Sequence, residues 1–262
     1  MQCDRDLAKV ARQHLEMEQF FAGFVPRGVG RSATPLSRTV VSAGEDADLG
    51  SDGVGPSVES APGDHARQLA LIAEEVAACC RCGLGESRTH AVPGEGSPNA
   101  RIMFIGEAPG ADEDAQGRPF VGRAGQLLDK IIGACGLERS DVFIANILKC
   151  RPPENRDPRP EEIVSCLPLL QRQIEVIRPE VIVALGAHAA RTLLNTNQAI
   201  GRLRGRFHDY VNGLGQPPIK LIATYHPAYL LRNYTHETRA QVWDDMKKVL
   251  AELGLPVPDG GR

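Results

Sequence analysis

Four of the seven cysteines in this 262-residue chain fall in a pattern that suits a metal centre. Cys79-Cys80-Arg81-Cys82 contains a C-x2-C pair, and Cys150 and Cys166 form a second pair separated by fifteen residues. Four thiolates, from Cys79, Cys82, Cys150 and Cys166, can hold tetrahedral zinc or an iron–sulfur cluster. A zinc ribbon usually shows two close pairs, so the wide second pair speaks against it. Burial of Cys150 and Cys166 as ordinary thiols is the competing reading. Cys80 could stand in for Cys79, although C-x2-C presents both sulfurs to one centre more readily. The odd total and the lack of an export signal point to reduced thiols rather than a disulfide framework.

A second set of side chains suits work on a nucleic acid. Glu107 sits in Gly106-Glu107-Ala108-Pro109-Gly110, a turn that either carries a catalytic carboxylate or simply reverses the chain. Phe120, in Arg118-Pro119-Phe120-Val121-Gly122, is a core aromatic or a ring on which a base stacks. Asn146 falls inside an apolar run, where a buried amide must satisfy two donors and an acceptor. It serves either a neighbouring loop or a ligand. In His226-Pro227-Ala228-Tyr229-Leu230-Leu231-Arg232-Asn233, Leu230 or Leu231 could wedge into stacked bases while Arg232 meets phosphate. A satisfied histidine at a helix start is the plainer alternative. Arg202, Arg204 and Arg206 alternate, as a phosphate-binding stripe or a solvated face would. The other histidines, His188 among them, show no metal-like pairing.

These residues need a frame, and the hydrophobic pattern supplies one. Four short apolar runs read as strands: Arg101–Gly106, Val142–Leu148, Val181–Gly186 and Lys220–Tyr225. Helical patterns occupy His65–Ala78, Gly125–Ala134, Glu161–Ile177, Ala187–Leu194 and Glu237–Leu253. Continuous apolar strands alternating with helices indicate a parallel sheet covered on both faces. Ligands bind such sheets beyond the carboxyl ends of the strands. Glu107, Asn146 and His226 lie at or just past three of those ends, so three strand ends are expected to converge on one crevice. The third strand's end, Gly186-Ala187-His188, reads as the start of a helix.

Composition sets the outer limits. At 42% hydrophobic and 24% charged, the chain can bury one sizeable core with appendages. No apolar run nears the roughly 20 residues a membrane helix needs. The net charge of −3 excludes a generally cationic nucleic-acid binder. Residues 1–65 hold six basic and ten acidic side chains, leaving residues 66–262 at +1, so any DNA-facing surface is a local patch. Residues 4–24 have helical spacing, and 26–65, rich in Gly, Ser, Pro and Asp, read as a flexible linker. The expected organisation is an N-terminal extension over 1–65 and a single α/β domain over 66–262.

Read in order, GEAPG, ED-x2-GRPFVG-x-AGQLLD, NILKCRPPENRDP and HPAYLLRN, interleaved with four cysteines, closely resemble the family-four uracil-DNA glycosylases. The resemblance runs from about Cys79 to Leu253. It implies a three-layer α/β/α sandwich around a four-stranded parallel sheet, and a structural [4Fe-4S] cluster on Cys79, Cys82, Cys150 and Cys166. By the same resemblance Gly106, Glu107 and Ala108 line the uracil pocket, and Phe120 is the stacking ring. Asn146 reads the uracil edge, and His226 donates to uracil O2. The implied activity is monofunctional hydrolysis of the N-glycosidic bond of uracil in DNA, leaving an abasic site for base excision repair. The implied setting is a monomer in the cytoplasm of a prokaryote, associated with the nucleoid.

The first motif carries Ala108 and Gly110 where the best-known branch of the superfamily has a water-positioning aspartate and a thymine-rejecting tyrosine. Asp112 and Glu113 are the candidates for rejecting thymine here. A histidine-bearing basic insertion typical of the covalently trapping branch is missing from Arg151–Glu162, so no covalent adduct is expected. Two other readings compete. One is a non-catalytic iron–sulfur DNA-binding module of the same fold, and the other a zinc-stabilised nucleotide-binding protein.

Overall fold

The computed structural model describes residues 62–211 and 217–258; the helix expected over 4–24, most of the linker, and Cys3 lie outside the described residues. A first helix, α1 (Pro62–Ala77), and a single turn, α2 (Leu84–Ser87), precede a two-residue edge strand, β1 (Glu95–Gly96). Then follow β2 (Ile102–Gly106), α3 (Ala111–Gln116), α4 (Arg123–Ala134), β3 (Phe143–Asn146), α5 (Pro160–Ile177), β4 (Val181–Leu185) and α6 (Ala187–Leu194). The chain ends with α7 (Ile200–Leu203), β5 (Phe207–Tyr210), β6 (Ile219–Thr224), α8 (Pro227–Arg232) and α9 (His236–Glu252).

The six strands form one sheet in the order β1-β3-β2-β4-β6-β5. Its centre is the expected set of four parallel strands, β3, β2, β4 and β6. The short antiparallel strands β1 and β5 are added at the two edges. Sequence pattern missed them for a physical reason. An edge strand is covered on fewer sides, so β5 (FHDY) is only partly buried and shows no apolar run.

Because side chains alternate across a strand, β2 feeds both faces of the sheet. Ile102 and Phe104 pack with Leu127, Leu128 and Ile131 of α4 and with Met246 and Leu250 of α9. Met103 and Ile105 pack with Leu170 and Ile174 of α5 and with Ala189 and Leu193 of α6. These are the three layers. A third, smaller cluster joins Ile72 and Val76 of α1 to Leu148, Leu169, Cys150 and Cys166. Among the described residues no helix is long and apolar enough to cross a membrane.

Candidate active site and cysteine cavity

A cavity of about 650 Å³ opens at the carboxyl ends of the parallel strands. All four contribute: Glu107 follows β2, Asn146 ends β3, Ala187 and His188 follow β4, and His226 follows β6. The convergence is wider than expected, since β4 joins the other three. Ala108, Phe120 and Arg232 also line the cavity.

Asn146 and Phe120 meet over Gly106. A β-carbon at Gly106 would lie 2.4 Å from Asn146 Oδ1 and 2.6 Å from Phe120 Cζ, so only glycine lets both approach the strand end. Asn146 is 2% exposed, and its Oδ1 has no hydrogen-bond partner. An orphaned buried acceptor is costly and uncommon in native proteins. Asp245 Oδ1 is the other such atom among the described residues. There the second carboxylate oxygen is held by Thr224 Oγ1 at 2.7 Å and Arg204 Nη2 at 2.9 Å, under a cover of side chains. Asn146 instead lies on the wall of an open cavity, where a ligand can supply the missing donor.

Phe120 sits in the left-handed region, at φ 50°, which a non-glycine residue rarely adopts. Its support is visible. Glu113 accepts from the backbone N–H groups of Val121 (2.9 Å), Gly122 (3.0 Å) and Gly110 (3.0 Å), fastening the Phe120 loop to the turn that carries Glu107. The carboxylate of Glu113 is thereby committed, although it borders the cavity. Asp112 is not part of the lining; its carboxylate lies against Gly122.

His226 caps α8. Its Nδ1 accepts from the N–H of Ala228 at 3.1 Å, which leaves the proton on Nε2. Burial pushes its pKa down to about 4, with the Arg232 guanidinium acting in the same direction and Glu113 opposing. The ring is therefore a neutral donor at neutral pH. It stands 5.6 Å from the Phe120 ring, centroid to centroid. Burial raises Glu107 above the usual carboxylate range, and Asp157 adds to this while His188 opposes it. His188 Nε2 lies 4.0 Å from Glu107 Oε2 and 3.7 Å from Asp157 Oδ1. The sequence showed no metal-like pairing for His188; the structure sets it beside two carboxylates. Its position directly after β4 was the available signal.

Cys79, Cys82, Cys150 and Cys166 line one narrow cavity, whereas Cys80 is exposed and Cys135 is buried elsewhere in the core. Among the described residues no three cysteine sulfurs lie within 4.8 Å of one another. Arg88 Nη1 donates to Cys150 Sγ at 3.0 Å, and the backbone N–H of Lys149 donates to Cys166 Sγ at 3.2 Å. Lys149 is itself buried, with Nζ donating to Gln173 Oε1 at 2.6 Å. Burial lowers its pKa to about 8, and a Cys166 thiolate would raise it.

Leu230 is not a DNA wedge: it is fully buried in the core cluster under α4 and α9, because α8 turns that face inward. Leu231 is partly buried against the same cluster, while Arg232 is exposed at the cavity rim. The arginine stripe also fails. Arg204 folds inward onto Asp245 and over the Tyr225 ring, and only Arg202 and Arg206 are exposed, since α7 and a turn break the alternation. The cavity lining that sequence reasoning missed includes Asn155, Arg156, Asp157, Tyr225 and Tyr229. Tyr225 and Tyr229 stack at 4.9 Å, and nothing in their spacing announced it.

Comparison with known proteins places these residues in a wider set. The sequence model of the "Uracil DNA glycosylase superfamily" matches residues 93–247. The chain is 49% identical over 190 residues to a type-4 uracil-DNA glycosylase of Saccharolobus solfataricus, covering 71% of this chain and 86% of that protein. A type-4 uracil-DNA glycosylase of Thermotoga maritima is 46% identical over 181 residues, covering 69% and 92%. One of Archaeoglobus fulgidus is 46% identical over 191 residues, covering 71% and 94%.

Proposed function

Because the chain belongs to the uracil DNA glycosylase superfamily, we propose that the cavity at its strand ends receives uracil turned out of DNA and releases it by hydrolysis. The observation that carries the site assignment is the orphaned Oδ1 of Asn146 on the cavity wall. Uracil offers a donor, N3–H, beside an acceptor, O4, and one carboxamide matches both. Cytosine presents the reverse order and would leave two buried groups unpaired. A site of that kind discriminates by about 10⁴-fold or more. Everting a nucleotide costs about a few kcal/mol in lost stacking and pairing. Phe120 returns part of it by stacking on the base.

Cleavage sends the electron pair of the C1′–N1 bond into uracil, and negative charge gathers at N1 and O2. Nε2–H of neutral His226 donates to O2 as that charge grows. A preorganised donor of this kind is typically worth roughly 3–4 kcal/mol. C1′ becomes cation-like and takes the oxygen of water, whose proton leaves to Glu107 or solvent. Glu107 either orients that water or opposes the sugar's positive charge; both roles require its ionised form. Arg232 at the rim supplies a phosphate contact. The uracil anion takes up a proton from solvent, so the products are free uracil and an abasic sugar, with the strand intact.

Cys79, Cys82, Cys150 and Cys166 would hold a [4Fe-4S] cluster. Their spacing in the sequence supports this over zinc, because a zinc ribbon usually offers two close C-x2-C pairs and here the second pair is separated by fifteen residues. The donated hydrogen bonds from Arg88 and Lys149 and the two nearby cations offset the charge of four thiolates. The group would supply a covalent tie between the segment after α1, the strand-end loop after β3 and α5; it takes no part in the base chemistry.

The test is single-turnover excision on U:G, U:A and single-stranded oligonucleotides. Asn146→Ala should lose at least about 10³-fold in rate while keeping the native far-UV spectrum. Turnover like that of the wild type would remove Asn146 from the pocket. DNA binding without abasic product in the wild type would leave only a binding module.

A further inference from the structure

His188 stands in the first turn of α6, with its Nε2 between two carboxylate oxygens: Glu107 Oε2 at 4.0 Å and Asp157 Oδ1 at 3.7 Å. These three are the group of ligating side chains whose atoms lie within 4.8 Å of one another among the described residues. Exposure rises outward through the set, from 30% at Glu107 and 37% at His188 to 81% at Asp157. A neutral imidazole has one N–H to offer two anions. An imidazolium at the same place is an ion-pair partner for both. Two carboxylates this close repel each other, and burial adds a penalty on ionising the inner one. We infer that His188, as an imidazolium shared with Asp157, is a positioning residue that holds Glu107 ionised and aimed into the cavity.

The surroundings leave that role to His188. From the loop before α5, Arg156 is engaged by Glu162 Oε2 at 3.0 Å and by the Asp157 carbonyl at 3.0 Å. On the same helix, Arg191 donates to the Gln198 carbonyl at 2.9 Å. From the last strand end and α8, His226 is neutral and Arg232 is exposed at the rim. Glu113 is occupied by three backbone N–H groups. The N-terminus of α6 works against an imidazolium, since its dipole end is positive. Glu107 and Asp157 oppose that effect from their positions beside Nε2. Asp157 therefore matters indirectly: it faces solvent and stabilises the cation that in turn keeps Glu107 charged.

This inference rests on the reading that Glu107 acts as an anion at the sugar, and the experiment separates the two. Single-turnover excision of uracil is followed with saturating enzyme from about pH 5 to pH 9, each profile scaled to its own plateau. In the wild type the acid limb reports protonation of Glu107. His188→Ala should move the midpoint of that limb up by about one pH unit, a roughly tenfold loss at pH values below both midpoints. His188→Gln, which keeps a donor without the charge, should behave like His188→Ala. His188→Lys, a permanent cation at this pH, should restore the lower midpoint. An acid limb unmoved in His188→Ala, with Glu107→Gln inactive, would overturn the inference and leave the Glu107 reading standing. Full activity of Glu107→Gln would overturn both. A midpoint shift that His188→Gln reverses as well as His188→Lys would assign the effect to packing, and overturn the role of the charge.

Discussion

At the strand ends, Asn146 Oδ1 is buried without a partner, Phe120 is held at φ 50°, and two carboxylates share one imidazole. Around the cysteines the opposite holds. Cys150 and Cys166 each receive an N–H donor, and buried Lys149 is held by Gln173, whose Nε2 in turn donates to the Pro93 carbonyl at 2.8 Å. Neither of the orphaned buried oxygens of the described residues lies there. The two regions divide labour along a familiar line. Strain and unmet polar capacity collect where a ligand completes the site, and fully answered polar groups collect where segments must be held. The packing of α1 and α5 against Leu148 and Cys150 holds the loop that directly follows Asn146.

The sharpest way to break that contrast is Cys150→Ser. It should abolish most bound iron and lower stability by several kcal/mol, on the order of 10 °C or more in Tm. Burial pushes the Cys166 thiol up to about 11 and Cys150 in the same direction, so both favour the protonated form in the absence of metal. Metal must displace those protons, so iron retention should also weaken as pH falls. Iron analysis and a thermal melt of Cys150→Ser beside Asn146→Ala check this. If Asn146→Ala loses as much stability as Cys150→Ser, the two regions do not divide as described.

How much of this was legible in the sequence follows from burial. The four parallel strands are apolar on both faces, so each showed as a continuous run, and Glu107, Asn146 and His226 could be placed by counting from their ends. Edge strand β5 lacks that burial and left no run. Leu230 and Leu231 are adjacent and chemically alike; which one faces inward depends on the rotation of α8, set by Pro227 and the His226 cap. Asp157 and His188 lie thirty-one positions apart and meet only because two loops end at one rim. Periodicity reads contacts within an element. It is silent on contacts between loops.

His226→Ala gives an intermediate effect and tests the pocket half of the contrast. Removing one preorganised donor should slow excision by about 10²–10³-fold. The pH behaviour has a definite sign. The folded ring titrates near 4 and the unfolded ring near its ordinary value of 6.5, so the unfolded chain binds the extra proton between them. Native stability from this group is complete above pH 6.5 and is lost as pH falls toward 4. His226→Ala should therefore flatten the stability profile in that window. Nitrogen-15 NMR of the wild type should show a proton on Nε2 and no imidazole titration of this ring above about pH 5. A ring titrating near pH 6.5 would refute the neutral donor.

Arg232 and Leu230 sit two residues apart on α8 and belong to different tasks, which makes them the finest probe of the contrast. Arg232→Ala removes one phosphate contact at the rim. Its DNA affinity should fall modestly for uracil-bearing and undamaged duplexes alike, and the slope of log K against log salt should lessen by about one. Its melting curve should stay where it was. Leu230→Ala should do the reverse, costing about 2–5 kcal/mol of stability through the cavity left under α4 and α9, with the salt slope unchanged. A salt slope altered by Leu230→Ala in the folded protein would mean that α8 releases this leucine on DNA and that the helix is less firmly seated than its packing indicates.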